Sequence, residues 1–351
     1  MAAIYDGKPV VLSGGDKYLF DPPRDFVGYG LEQPTNPWPN GAKIAVSFTH
    51  NYEEGGESTL WNGDDRSIAS LHELLPNREA QIGKRDFLVE SMYEYGARQG
   101  FPRLLKLFDK YGFKFTTWVV ARAAEVTGPY PKLCADLGHE IACHGNRWSV
   151  PGESFDEAKW HINRSFDRLQ KATGLTDVPT AWFMANSTLD TKLARAEVHK
   201  ERGVPLLYHS DTYATDTPYW IQDPLVVKGE EDKGMLSIPY SLCNNDACWF
   251  SPIGHSWYNA DDCFDQLKTD FDYLYAEGQR GTPRMMTIAM HSRVYGKPGK
   301  TMALKKFMEY ISSKPDVWVA TRREIAEAWR KNHPYEKEGP TANLHADVKK
   351  Y

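Results

Sequence analysis

Two carboxylates stand side by side at Glu53 and Glu54, after the apolar run KIAVSF and the polar string Thr49-His50-Asn51-Tyr52. The run EIAC ends in His144, Gly145, Asn146, Arg147 and Trp148, and MMTIAM ends in His291 and Arg293. TAWFM leads to Asn186, and PLLYHS to Asp211, Tyr213 and Asp216, with Tyr219 and Trp220 just beyond. IPYSLC leads to Asn244, Asn245 and Asp246. Carboxylate and imidazole are the pairing that general acid–base chemistry uses: one group takes a proton from water while the other delivers one to the leaving atom. Singly, each residue has a plain structural reading. Glu53-Glu54 beside Gly-Gly suits a solvated turn, a histidine after a strand suits a backbone carbonyl, and Asp211 or Asp216 suits a cap. Together, all at the ends of apolar runs, they form an enzyme's inventory.

A catalytic divalent metal needs about three protein ligands, commonly two histidines and a carboxylate. A histidine four residues after His144 would supply a pair, but position 148 is Trp148. Glu54 with His144 is a partial set, and His50, His209 or His255 are the remaining candidates to complete it. No cofactor is expected, with zinc as the alternative.

The elements that must position these groups alternate along the chain. The short apolar runs KIAVSF, FTTWVVA, EIACH, TAWFM, PLLYHS, LSIPY, MMTIAMH and VWVA are strand-like. Between them lie segments of helical period such as FPRLLKLFDKYG, FDEAKWHINRSFDRLQKATG, TLDTKLARAEVHKERG and DDCFDQLKTDFDYLYAEG. Gly112, Gly174, Gly203 and Gly278 read as helix C-caps, and Ser154 as an N-cap. Strand then helix, repeated, predicts a parallel sheet, and an uninterrupted series favours a (β/α) barrel whose chemistry sits at the carboxyl ends of its strands. Periodicity alone leaves seven or eight strands, closed or open. Residues 1–42 read as an irregular arm, 43–331 as one barrel domain with a long insertion at 53–100, and 332–351 as a polar tail.

A charge of −5, from 42 Lys+Arg against 47 Asp+Glu, gives no general pull toward nucleic acid or an anionic membrane. Mean hydropathy is −0.57, and no apolar run is long enough to span a bilayer. Five cysteines without a CxxC pair read as reduced thiols, and the N-terminus lacks a secretory pattern, so the expected place is the cytoplasm. An aromatic content of 13% supplies rings for a pocket as well as for the core.

The strings NYEEGGE, RDFLVESMYEYGARQGF, HGNRW, SDTYATDTPYW, IPYSLCNND and MHSRVYGKPGKTMALKKF resemble the polysaccharide deacetylase (NodB homology) superfamily. Within it they are most similar to the branch of metal-independent allantoinases and cyclic-imide hydrolases, over about Arg24 to Trp329. The resemblance implies a distorted (β/α)7–8 barrel. It makes Glu53 the candidate base and His291 the group that protonates the leaving nitrogen, with His144 beside them. Because Arg147 and Trp148 stand where a second metal histidine would fall, it also implies loss of the metal. Where the branch carries an Arg after its fourth strand this chain has Asn186, which removes a guanidinium partner for an anionic substrate.

The expected activity is hydrolysis of a non-peptide C–N bond in a small cyclic amide, imide or ureide. Catalysis falls to Glu53, His144 and His291; substrate binding to Tyr52, Glu54, Arg147, Trp148, Asn186, Asp211, Tyr213, Asp216, Trp220, Asn245 and Arg293. Arg293, Asn186 or backbone N–H groups are the oxyanion donors. A metal-dependent polysaccharide N-deacetylase and a catalytically silent ligand-binding member are the two rival functions. The partners implied are a small-molecule substrate and further copies of the chain, by resemblance in a tetramer, with no nucleic acid or membrane.

Overall fold

The computed structural model describes residues 25–70, 79–147, 154–184, 187–225, 233–249 and 259–336, plus a short strand pair, Ile4–Tyr5 with Lys8–Pro9. Trp148, Asn186 and His255 lie outside the described residues.

Nine strands form the main sheet: β1 (Ile44–Tyr52), β2 (Thr116–Val119), β3 (Glu140–Cys143), β4 (Ala181–Trp182), β5 (Tyr208–His209), β6 (Tyr219–Gln222), β7 (Gly234–Ser237), β8 (Arg284–His291) and β9 (Val317–Val319). Their order is β6-β7-β5-β4-β3-β2-β1-β8, with β9 also against β1. All pairings are parallel except β6 with β7. The sheet curls until β8 meets the segment that follows β7 in a single parallel bridge, Asn245 to Ala289, so the architecture is the distorted barrel expected. Each apolar run noted above supplies a strand; β6 was not anticipated, and it pairs as an antiparallel hairpin arm.

Strand alternation sorts the residues into two layers. The barrel interior holds Ala45, Trp118, Ala142, Phe183, Tyr208, Tyr240, Met285 and Ala289. The layer between sheet and helices holds Ile44, Val46, Phe48, Tyr52, Phe101, Phe108, Ile288 and Met290. The helices behave as their caps predict. Ser154 and Glu157 form a capping box at the start of the helix Phe155–Thr173, and Gly112, Gly174 and Gly203 adopt left-handed conformations at C-caps.

Gly278 differs from expectation: it lies inside the helix Ala260–Gln279. A Cβ there would stand 1.8 Å from the Lys43 carbonyl oxygen, so this glycine serves close packing rather than chain reversal.

The insertion at 53–100 is also more regular than its composition suggests. Asp86 caps the helix Phe87–Tyr95, which buries Val89, Glu90 and Tyr93 and runs through Gly96–Gly100 into the helix Phe101–Tyr111. This continuous rod brings Gly96 against Glu54. No described helix is long and apolar enough to cross a membrane, and all five cysteines carry thiols rather than disulfides.

Candidate active site

β1 runs through Tyr52, four residues beyond the apolar run, and its alternation decides which polar groups reach the interior. Asn51 points inward, where its Nδ2 donates to the Tyr240 hydroxyl at 3.0 Å, and Glu53 follows in the same phase. His50 and Tyr52 point to the helices. His50 Nε2 lies 2.6 Å from Ser292 Oγ, and burial pushes its imidazole down to about 3. Tyr52 donates its hydroxyl proton to Thr127 Oγ1 at 2.6 Å, so its assignment to substrate is corrected: a one-residue offset puts it on the opposite face.

Three residues far apart in the chain meet at the carboxyl rim. Glu53 Oε1 lies 3.3 Å from His144 Nε2 and 3.5 Å from His291 Nε2, and Glu53 Oε2 accepts from Arg293 Nη2 at 2.7 Å. All four residues are buried. His144 donates its Nδ1 proton to the Phe183 carbonyl at 2.5 Å, which turns Nε2 toward Glu53. His291 donates Nδ1–H to Asp246 Oδ1 at 2.6 Å. Asp246 Oδ2 accepts the backbone N–H groups of His291 and Tyr295 at 2.8 and 3.1 Å. His291 therefore stands between two carboxylates, one on each ring nitrogen.

The electrostatics follow from these contacts. Burial disfavours the charge on Glu53, but Arg293, His291 and His144 outweigh it and hold the carboxyl well below the usual range. Burial also disfavours the imidazolium of His291, and the opposing pull of Glu53 and Asp246 lifts it to about 9. Glu54 moves the other way: burial raises it, against Arg293 and together with repulsion from Glu53. Adjacent carboxylates thus separate into one ionised group and one that holds its proton more tightly.

Arg293 ties the pair together. Its guanidinium lies 4.5 Å above the Tyr93 ring and reaches Glu54 Oε1 at 3.5 Å, while its backbone N–H donates to the same oxygen at 3.2 Å. Gly96 makes room for this arrangement: an added Cβ would sit 2.6 Å from Glu54 Oε1 and 2.9 Å from the Arg293 nitrogen. We expect Gly96→Ala to cost roughly 1–3 kcal/mol by overpacking and to lower turnover by about tenfold or more through displaced carboxylates. Thermal melting and kcat of the purified variant check this; wild-type turnover would show that Gly96 does not set the position of Glu54.

Several predicted substrate residues have structural employment. Arg147 donates to the Gly56 and Glu57 carbonyls and pairs with Asp64 at 2.6 Å, latching the loop after β1. Asp211 pairs with Arg195 at 2.8 Å and accepts from Ser187 Oγ and the Met184 N–H, so its carboxylate is fully committed. Asp216 is corrected as well. Its carbonyl takes the Met285 N–H at the far end of β8, about 20 Å of strand from His291. Asp216 lines a cavity of about 350 Å³ at the barrel seam, together with Tyr240, Tyr273 and Met285.

Trp220 donates Nε1–H to the His333 carbonyl and packs on Tyr335, anchoring the C-terminal segment rather than a substrate. Asn245 closes the barrel and donates to the Tyr240 hydroxyl at 3.1 Å. Tyr213 is half-exposed, its ring edge-on to Tyr240 at 6.2 Å.

Asp246, Phe183 and Tyr240 were not assigned roles from sequence. Asp246 stood among the rim residues, but no spacing rule links it to a histidine 45 positions away. The two aromatics read only as core.

The donor chemistry does not fit a divalent metal. Among the described residues no group of three or more His, Cys, Asp or Glu side chains is arranged to hold one. Both Glu54 oxygens accept N–H bonds, from Arg293 and from the Glu53 backbone, and the cation beside the carboxylates is a guanidinium.

A curled parallel barrel with a carboxylate and two imidazoles at its carboxyl rim defines a hydrolase site of the deacetylase type. Comparison with known proteins agrees. Residues 83–205 match the family model described as Polysaccharide deacetylase. A Schizosaccharomyces pombe protein named "Putative polysaccharide deacetylase" is 41% identical over 321 residues, spanning 89% of this chain and 98% of that protein. The crystal structures of PuuE allantoinase and of a "probable Polysaccharide deacetylase" from Pseudomonas aeruginosa PAO1 each superpose with a TM-score of 0.80 at 38% identity, over 90% of this chain and all of theirs. The chain belongs to the polysaccharide deacetylase family and is a hydrolase acting on carbon–nitrogen bonds other than peptide bonds.

Proposed function

We propose that this hydrolase opens a small cyclic amide, imide or ureide without a metal, with Glu53 as general base and His291 as general acid. The observation that carries the reading is Glu53 Oε1 within 3.5 Å of both imidazole Nε2 atoms while Arg293 fixes Oε2. Glu53 takes a proton from water as the oxygen attacks the ring carbonyl. The C–N bond then breaks, and His291 Nε2 gives its proton to the departing nitrogen. The proton left on Glu53 passes back to His291 across the same 3.5 Å gap, which resets the site. His144, pinned by Phe183, holds its Nε2 edge against Glu53 Oε1 and so helps to fix the base.

Arg293 is committed to two carboxylates and organises them, so the oxyanion role considered for it from sequence passes to other donors. Burial of Glu53, His144 and His291 favours a small substrate over a polymer laid in an open groove, and the likeness to an allantoinase supports a cyclic one.

The test is a panel of hydantoins, succinimide, glutarimide, allantoin and acetylated chito-oligomers, using protein dialysed against EDTA and following ring opening in the ultraviolet. Undiminished opening of a cyclic amide is expected. Activity confined to the oligomers, or lost on dialysis and restored by zinc or cobalt, would favour the metal-dependent deacetylase instead.

A further inference from the structure

Tyr240 follows β7, is 2% exposed, and touches all sides of the site. Its hydroxyl oxygen accepts N–H bonds from Asn51 at 3.0 Å and Asn245 at 3.1 Å. Its ring stacks on Phe183, 4.0 Å between centroids and 14° from parallel. Phe183 lies parallel to the His144 ring at 5.2 Å and supplies the carbonyl that holds His144 Nδ1.

Each contact ends one step from an acid–base residue. Asn51 precedes Glu53 by two positions on the same face of the chain, Asn245 precedes the Asp246 that holds His291, and Phe183 fixes His144. This matters because of where the barrel closes. β8, which carries His291, is bonded along its length to β1, but on its other side it meets the seam at separate points: Met285 N–H on the Asp216 carbonyl, Ala289 N–H on the Asn244 carbonyl, and His291 on Asp246. Those bonds tie Asp246 to β8 and reach β1 only by way of it, which leaves the gap between β1 and the seam itself. The phenol of Tyr240 spans that gap, from β1 to the seam, over a residue whose side chain is only a methyl.

We infer that Tyr240 is a positioning residue that sets the separation of base and acid by tying Asn51 on β1 to Asn245 at the seam. The inference rests on the acid–base reading above for its kinetic consequence, but not for its structural one. Charged or titratable groups facing His291 are Glu53 and Glu54 at the end of β1, Asp246 at the seam, Arg293 on its own loop and His50 from the helix side. Tyr240→Phe alters none of these directly and keeps the stacked ring.

The test is an NMR titration of the His291 imidazole, its resonance assigned with His291→Gln, alongside kcat and KM. In Tyr240→Phe the midpoint is expected to fall from about 9 toward the ordinary imidazole value as Asp246 loses its hold on Nδ1. We expect kcat to fall by roughly 10- to 100-fold with KM little changed. Tyr208→Phe is the comparator. It removes a buried phenol that donates to Glu140 at 2.9 Å elsewhere in the barrel, and it should cost stability without moving the midpoint.

If Tyr240→Phe fails to fold, Asn245→Ala cuts the arm to Asp246, together with the bond that the same side chain accepts from the Ala247 N–H, and should lower the midpoint in the same direction. A wild-type midpoint in the folded variant overturns the positioning role, whatever the substrate is. Full turnover in His291→Gln overturns the acid–base reading instead and leaves the titration to decide the role of Tyr240.

Discussion

Glu53→Gln is expected to reduce turnover by roughly 10² to 10⁴, the usual contribution of a placed general base, while the circular dichroism spectrum stays that of the wild type. The amide keeps the size of the carboxylate and still offers Arg293 an acceptor oxygen. Glu54 remains beside that guanidinium, and with the repulsion from Glu53 gone its ionised form is favoured, so the buried cation keeps a counter-charge. What disappears is, among the described residues, the one inward carboxylate that faces both imidazoles, and an amide cannot accept the proton of water. His291 also loses one of the two anions that keep it protonated, so acid and base are weakened by one substitution. Turnover should be measured under saturating substrate on whichever cyclic amide the wild type opens. A loss smaller than about tenfold would be too little for a general base and would end the assignment of Glu53.

Asp246→Asn is the second large effect. Asp246 receives three N–H bonds, one from the His291 ring and two from the backbone around it, and so holds both the ring's angle and its charge. The acid must carry its proton to act. In the wild type His291 is lifted to about 9, so the rate should hold until the pH climbs through that value and then decline. On the acid side Glu53 must be ionised, and because it lies well below the usual carboxylate range, activity should persist into mildly acidic solution. These limbs belong to the coupled pair rather than to isolated residues. Replacing the Asp246 anion with an amide leaves Glu53 as the main support of the imidazolium. The alkaline limb should move to lower pH, and turnover at neutral pH should fall by roughly 10² to 10⁴, since orientation and protonation are lost together. A pH–rate profile of kcat/KM for both proteins decides it; an alkaline limb that does not move would mean that His291 is not the acid.

Much of this site was legible as residue types at the ends of apolar runs. Glu53, His144, His291 and Arg293 each follow such a run, and a parallel barrel gathers strand ends at one rim. Tyr52 and Asp216 show where that logic stops. Tyr52 sits one residue before Glu53, yet the strand continues past its apolar run and alternation turns it outward. Asp216 follows PLLYHS but is carried past the rim to the far end of β8. Arg147 and Asp211 have the chemistry of ligand-binding residues and are consumed by Asp64 and Arg195, partners 83 and 16 positions away.

Local order in the chain determined the alternation of strand and helix, the caps at Ser154, Gly112, Gly174 and Gly203, and the polar residues offered at strand ends, because these depend on neighbours within a turn or a pleat. Tertiary structure alone decided that one carboxylate would be shared by two imidazoles, that the Arg293 guanidinium would bridge Glu53 and Glu54, and that Glu53 and Asp246 would together favour the charged form of His291. Each of those is a meeting of residues whose separation along the chain carries no distance information until the sheet has curled and closed at Asn245 and Ala289.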